Sequence, residues 1–148
     1  IAPQGFAVVA FVELIDRYLA EGRIRLDKSI LTDRVTYHDP CQLARNGGVI
    51  EEPRRVLRAL APGFVEMTPN REENWCCGGG GGLVAMGEEE FRMKSGRVKA
   101  EQLRETGAGV VATACENCHS QLSDLNNHYN LGMRVEFLSH LAARALIK

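Results

Sequence analysis

Five cysteines occur at spacings that suit a metal centre. They occupy three places along the chain: Cys41, the adjacent pair Cys76-Cys77, and the pair Cys115 and Cys118. Neighbouring side chains rarely converge on one point, so an adjacent pair suits a single tetrahedral ion poorly. A centre with several metal atoms offers more than one docking place, and the pattern therefore favours an iron–sulfur cluster. The odd number of cysteines also argues against a closed disulfide framework.

Five glycines, Gly78 to Gly82, follow the adjacent pair directly. Glycine can adopt positive φ and lets the backbone approach a ligand closely. Their N–H groups can point at cluster sulfurs and stabilise negative charge, and we expect Gly78, Gly79 and Gly80 to contribute to cofactor binding. A flexible loop is the alternative.

Two other metal sites match parts of the pattern. A zinc ion would take four cysteines, or three with His38 or His119, which leaves a thiol unused and gives the glycines no role. The run from Cys115 to His119 also matches the signature of covalent c-type haem attachment, with His119 as axial ligand. No export signal is visible and three cysteines would then go unexplained, so we expect His119 to be a polar neighbour at the rim of the site.

His38 precedes Cys41 in the run His38-Asp39-Pro40-Cys41. The pKa of a histidine lies near neutrality, so a histidine beside a redox centre can donate a proton. His38 is therefore a candidate catalytic residue. The alternative is a histidine that supports a ligand from outside or is simply solvated.

Composition limits the classes of function. With 148 residues, the chain matches one domain, 1–148, and it begins at Ile1 rather than methionine, which suggests the C-terminal part of a longer protein. Lys and Arg (18) nearly balance Asp and Glu (19), so nucleic acid and anionic membranes are not expected partners. The longest apolar stretch, residues 6–15, contains Glu13 and is too short to span a bilayer. These features predict a soluble, cytoplasmic domain without direct membrane insertion.

Short β-rich runs alternate with helical patterns along the chain. We predict strands at 34–37, 64–67, 109–113 and 134–137. We predict helices over 6–21, from about residue 53, over 88–105 with Gly107 as its stop, over 118–129, and over 138–146 with Ser139 as a candidate N-cap. This alternation predicts an α/β fold, with a small parallel sheet flanked by helices in a Rossmann-like manner.

The predicted elements bring the cysteines to one edge of the sheet. Cys41 follows the first strand, Cys76-Cys77 follow the second, and Cys115 closes the third. Ligands of open α/β sheets bind outside the carboxyl ends of the strands, so we expect one metal site at the C-terminal edge. The third predicted helix carries basic residues that we expect to be a solvated face, or else a surface for an acidic partner protein: Arg92, Lys94, Arg97 and Lys99.

The runs that carry the cysteines resemble the cysteine-rich CCG domain of the B and D subunits of heterodisulfide reductases. The resemblance rests on residues 37–41, on Asn74-Trp75-Cys76-Cys77 with its five glycines, and on Cys115-x-x-Cys118. It covers residues 35 to about 125 and continues towards the C-terminus. Residues 73–77 and 90–102 look most like the K subunit of the dissimilatory sulfite reductase-associated membrane complex.

The resemblance implies a site and an activity. All five cysteines would ligate one noncubane [4Fe-4S] cluster, which would be the reactive centre for electron transfer to or from a thiol/disulfide, such as a heterodisulfide or a protein trisulfide. Air would threaten such a cluster and leave free thiols, a disulfide or an adventitious metal. The family also includes electron-relay subunits of lactate, glycolate or glycerol-3-phosphate oxidation. A zinc-stabilised interaction module without enzymatic activity is the alternative outside the family.

The resemblance also implies partners. Family members often carry ferredoxin-like clusters that feed the CCG motif, and only one CCG motif is present here. The electrons would therefore come from ferredoxin-like parts or subunits, with a membrane cytochrome subunit further along in some complexes. The disulfide would be presented on a small carrier protein. Such a complex would hold the chain at the inner face of a membrane through a partner subunit.

Overall fold

A three-stranded parallel sheet lies at the centre of the computed structural model, which describes residues 5–147. The strands are β1 (Val35–Tyr37), β2 (Val110–Thr113) and β3 (Arg134–Phe137), in the spatial order β1-β2-β3. Val110 pairs with Val35 on one side and with Arg134 on the other. Every residue of β1 and β2 is buried, as expected where helices cover both faces of a parallel sheet.

In the described part of the chain, six α-helices surround this sheet. They are α1 (Phe11–Ala20), α2 (Glu51–Leu60), α3 (Leu83–Met86), α4 (Glu89–Thr106), α5 (Glu116–His128) and α6 (Leu138–Ala145). A π-helical turn at Gln42–Asn46 follows β1, and a 3₁₀ turn at Arg71–Glu73 precedes the adjacent cysteines. Within residues 5–147, every helix is too short or too polar to cross a bilayer.

Alternate residues of the strands divide the core into two parts. Val35, Val110 and Ala112 face a cluster that includes residues of α1, α2 and α6. Val111 faces a second cluster, which includes residues of α4 and α5. The predicted α/β fold with its parallel sheet is thereby confirmed, while the single domain over 1–148 includes residues outside the described range and stays a prediction.

The predicted strand at 64–67 is wrong in its extent. Phe64 forms a single parallel bridge with Val35, and the Val65 N–H donates to the Val35 carbonyl at 2.8 Å. Beyond this point the side chains have other partners, because Glu66 binds the guanidinium of Arg54 and Met67 enters the second core cluster. The segment therefore lies beside β1 without extending the sheet.

Three details of the helices can be compared with the predictions. Helix α1 begins at Phe11 rather than near residue 6, because the Glu13 carboxylate accepts the Ala10 N–H at 2.6 Å and closes the first turn there. Ser139 is not the N-cap of α6, since β3 runs directly into the helix and Phe137 takes that position. The predicted stop of α4 is confirmed, with Gly107 in the left-handed conformation at φ 61°.

Candidate metal centre

All five cysteines line one open cavity of about 190 Å³. It lies at the carboxyl ends of β1 and β2, where Cys41 opens the π-helical turn and Cys115 caps α5. The adjacent pair reaches the same cavity from the loop before α3. Three segments distant in sequence thus meet at the edge of the sheet where the topology predicts a site.

The sulfur atoms are close to one another and differ in exposure. Cys77 and Cys118 are buried, with their Sγ atoms 3.7 Å apart. Cys76 is exposed, and Cys41 and Cys115 are half-buried. The Gly78 N–H donates to Cys76 Sγ at 3.3 Å. The cavity therefore has buried sulfurs on its inner side and the Cys76 thiol at its mouth.

Burial and hydrogen bonds between sulfurs make three of these thiols hard to ionise. The hydrogen bond to Cys118 raises the pKa of Cys77 to about 12. A hydrogen bond to Cys77 and burial raise the pKa of Cys76 well above its usual value. Burial and the neighbouring Cys76 raise the pKa of Cys41. Several thiolates can share this space only beside positive charge, which iron or zinc ions supply to the sulfurs they bind.

His38 lies beside Cys77 and Cys118, on the buried side of this cavity. Its ring is fully buried, and neither ring nitrogen has a hydrogen-bond partner within residues 5–147. A ring nitrogen lies within 4.8 Å of the sulfurs of both Cys77 and Cys118. Burial, followed by the charge of Lys99, lowers the pKa of His38 well below its usual value, so the ring is neutral with one N–H donor. That unpaired donor fits a sulfur-rich group in the cavity, and its catalytic role stays a prediction.

Asn74 joins the segments that carry the cysteines. Its side-chain N–H donates to the Asp39 carbonyl at 2.6 Å, and its Oδ1 accepts from the Lys99 ammonium at 2.8 Å. Its own carbonyl accepts from Arg45 Nη2 at 2.5 Å, while Arg45 Nη1 reaches Cys41 Sγ at 3.8 Å. These hydrogen bonds fix the loop before Cys76 to the loop before Cys41.

A buried ion pair holds the loop after β1. Arg54 of α2 is fully buried and makes two hydrogen bonds of 2.8 Å to the Asp39 carboxylate. It also binds Glu66 at 2.9 and 3.1 Å, and Asp39 accepts the Arg71 N–H at 2.8 Å. If Asp39 and Arg54 separated, each would be a buried charge without its partner, so the two side chains stay paired. The backbone that leads to Cys41 is fixed with them.

The glycines differ in what they do. A Cβ on Gly79 would lie 2.7 Å from the Cβ of buried Gln121, whereas a Cβ on Gly80 would come no closer than 4.0 Å to any neighbour. A Cβ on Gly96 in α4 would meet the Cys77 carbonyl at 2.8 Å, so Gly96 lets the adjacent pair pack against that helix. The sequence patterns above did not single out Gly96, although a glycine inside a helix often marks a close approach.

Two of the four residues of α4 that we predicted to form a solvated basic face are buried, so that prediction is wrong for Arg92 and Lys99. Arg92 donates to Gln121 at 2.7 Å and to Asp124 at 2.8 Å, and thereby links α4 to the helix that carries Cys118. Lys99 is fully buried. Lys94 and Arg97 are exposed as predicted, paired with Glu90 and Glu101. The pattern of charges alone does not reveal that α4 packs on the sheet along this face.

His119 lies against β3 instead of lining the cavity. Its ring stacks on Phe137, with ring centroids 4.3 Å apart and planes inclined by 7°. The Cys115-x-x-Cys118-His119 run therefore directs its two sulfurs and its imidazole to different surroundings.

Comparison with known proteins places this arrangement in a family. The model of the CCG cysteine-rich domain matches residues 35–123. The chain belongs to the CCG cysteine-rich domain family. It is 37% identical over 143 residues to the D subunit of the dihydromethanophenazine:CoB–CoM heterodisulfide reductase of Methanosarcina acetivorans, and the match covers 95% of this chain and 34% of that protein.

Other relatives serve differently named enzymes. The B subunit of the fumarate reductase (CoM/CoB) of Methanothermobacter marburgensis is 38% identical over 120 residues, covering 80% of this chain and 24% of the relative. The iron–sulfur subunit of an Hdr-like menaquinol oxidoreductase of Archaeoglobus profundus is 32% identical over 120 residues, covering 77% and 22%. The chain thus spans about a third or less of these relatives. Its family is one of iron–sulfur oxidoreductase subunits, and the predicted family is confirmed, while the likeness to the K subunit stays a prediction.

We predict that Asp39→Asn will lower the free energy of unfolding by about 3 kcal/mol, because it leaves the buried guanidinium of Arg54 without its main counter-charge. Denaturant unfolding under reducing conditions measures the change. Asp33→Asn is the matched control, since Asp33 pairs with Arg134 on the surface at 2.7 Å and its loss should cost less than about 1 kcal/mol. Equal losses for the two variants would contradict the role of the buried pair.

We predict opposite results for two neighbouring glycines. Gly79→Ala should lower the free energy of unfolding by about 1–3 kcal/mol, because the new methyl group collides with Gln121, which Arg92 holds in place. Gly80→Ala has room for its methyl group and should change stability by less than about 0.5 kcal/mol. Denaturant unfolding of both variants measures the difference, and a similar cost for each would show that the loop is flexible instead of packed.

Proposed function

We propose that this chain is the cluster-binding domain of an oxidoreductase that exchanges electrons with a thiol/disulfide substrate. The observation that carries the proposal is that five cysteines from three segments line one cavity. In the proposal all five ligate one noncubane [4Fe-4S] cluster: Cys41, Cys76, Cys77, Cys115 and Cys118. A cubane held by four thiolates would leave one cysteine without a role.

The chain's own residues fit such a group. Gly78 donates its N–H to Cys76 Sγ, and Gly79 and Gly80 line the cavity beside it, which supports a role for the three glycines around the cofactor. The neutral ring of His38 would direct its N–H at sulfur from the buried side and keep one tautomer there. Its full burial makes it a hydrogen-bond donor to the centre more readily than a source of protons from solvent.

The cluster would supply single electrons, and reduction of one disulfide needs two electrons and two protons to give two thiols. The part of the cavity open to solvent is the side of exposed Cys76, so an S–S bond would approach from there. The inner side, formed by Cys77, Cys118 and His38, excludes water from the centre. The name of the Methanosarcina acetivorans relative, a heterodisulfide reductase, supports a disulfide as the substrate.

A relay role is the second candidate. Relatives named as subunits of a fumarate reductase and of a menaquinol oxidoreductase support this role. In that role the centre would pass electrons between partner subunits, and no disulfide would reach it. Both roles require partner subunits or domains that supply electrons, in keeping with relatives about three times as long as this chain.

Metal analysis tests the centre itself. We expect the chain, purified without oxygen, to contain about four irons and matching acid-labile sulfide. A single zinc without iron would contradict the proposal and favour the zinc-stabilised module, for which His38, Cys77 and Cys118 supply a ready three-ligand group. A Soret band would instead indicate haem. The variant Cys76→Ser should lose iron, whereas Ser95→Ala at a non-ligand position of α4 should retain it.

A disulfide titration separates the two roles. The iron-loaded chain is reduced with dithionite, freed of excess reductant, and mixed with a symmetric aliphatic disulfide, cystamine. In the disulfide-reductase role, the visible absorbance of the centre returns to its oxidised form as thiol is released, with one thiol expected for each electron lost. Reoxidation by a soluble quinone but not by cystamine would contradict this role and favour the relay.

A further inference from the structure

Lys99 is a cation in a place where cations are costly. Its side chain is fully buried in the middle of α4. The other three basic residues in this part of α4 have carboxylate partners: Arg92 binds Asp124, and Lys94 and Arg97 bind Glu90 and Glu101. Within residues 5–147, the hydrogen-bond partners of the Lys99 ammonium are two neutral atoms, Asn74 Oδ1 at 2.8 Å and Met67 Sδ at 3.2 Å.

The lysine is linked by hydrogen bonds to the segments that carry the cysteines. Asn74, which accepts its hydrogen bond, stands two residues before Cys76 and is itself bound to the Asp39 carbonyl in the loop that leads to Cys41. The charge of Lys99 contributes to the lowered pKa of His38, whose ring nitrogen lies within 4.8 Å of two cysteine sulfurs. A neutral amide therefore holds the ammonium beside the two segments that lead to Cys41 and Cys76.

The electrostatics support the same placement. Burial lowers the pKa of Lys99 to about 8, while the negative forms of Cys77, Asp39, Cys41 and Cys76 act to raise it. A buried ammonium normally needs a counter-charge. Asp39 is largely neutralised by Arg54, through two hydrogen bonds of 2.8 Å. The negative charge left for Lys99 is that of the cysteine thiolates and of whatever they bind.

We propose that Lys99 is the fixed counter-charge of the iron–sulfur centre and sets its reduction potential. The inference rests on the proposed binding of a cluster by the five cysteines. Uptake of one electron makes the centre one unit more negative, and a buried cation nearby stabilises that reduced form more than the oxidised form. Asn74 is then a positioning residue, since it holds the ammonium without neutralising it.

The test is a redox titration of the anaerobically purified, iron-loaded full chain with dithionite, followed by visible absorbance. Lys99→Gln keeps an N–H donor for Asn74 and removes the charge. We expect the ratio of reduced to oxidised centre at a given potential to fall about tenfold, which is a shift of about 59 mV to more negative potential for one electron. Lys99→Met should shift the potential in the same direction. Lys94→Gln, on the same helix with 74% of its side chain exposed, should leave the potential unchanged.

The outcomes are separable. If Lys99→Gln and Lys99→Met hold four irons and keep the potential of the unmodified chain, the proposal is overturned. If both neutral variants lose iron, Lys99→Arg decides: retained iron at a potential near that of the unmodified chain supports a required cation, and loss of iron there also shows that the lysine serves packing alone. An unmodified chain without iron would instead refute the proposed function, before any variant is compared.

Discussion

The crowding of five cysteines in one cavity is the constraint on which the rest of this structure depends. The Cys77 thiol is hard to ionise, because its hydrogen bond to Cys118 Sγ, at 3.7 Å, raises its pKa to about 12. Closely spaced thiolates are stable together only where metal ions neutralise their charge. The neutral amides, the neutral imidazole and the buried ammonium around the cavity are the environment that a negative multi-metal centre needs.

Contacts between residues other than the cysteines hold the cysteine-bearing segments in place. Asn74 connects two of the three cysteine segments, and the Arg54–Asp39 pair fixes the backbone before Cys41. Arg92 joins α4 to α5 through Gln121, against which Gly79 packs. These contacts involve no cysteine sulfur. The positions of the cysteines are therefore set largely by the fold, which would suit the proposed centre by keeping it in one geometry.

Much of the fold follows from local patterns. β1 and β2 are runs rich in β-branched residues, and the segments between the strands have helical patterns, so the parallel sheet and the edge that gathers the cysteines are predictable. The run at 64–67 has the same composition as a strand, yet Glu66 and Met67 have partners off the sheet, and those partners are invisible in a local window. Glu13 interrupts the apolar stretch at 6–15 because its carboxylate accepts the Ala10 N–H at the start of α1.

The site divides in the same way. The types and spacing of the cysteines and glycines predict a metal centre. Lys99 and Arg92 resemble surface residues in the sequence, because basic residues seldom lie in a protein interior. Their burial results from the packing of α4 against the sheet and α5, which brings together residues far apart in sequence. The same holds for Gly96, whose need for a small side chain arises from neighbours distant in sequence, among them the Cys77 carbonyl opposite it.

The central claim is that five cysteines from three segments hold one centre of several irons. Crystals grown without oxygen, with diffraction data collected on both sides of the iron absorption edge, test it most directly. We expect four iron peaks inside the cavity, with the Sγ atoms of Cys41, Cys76, Cys77, Cys115 and Cys118 all within bonding distance of iron. A single metal peak at the zinc edge, bound by four or fewer of these residues, would contradict it.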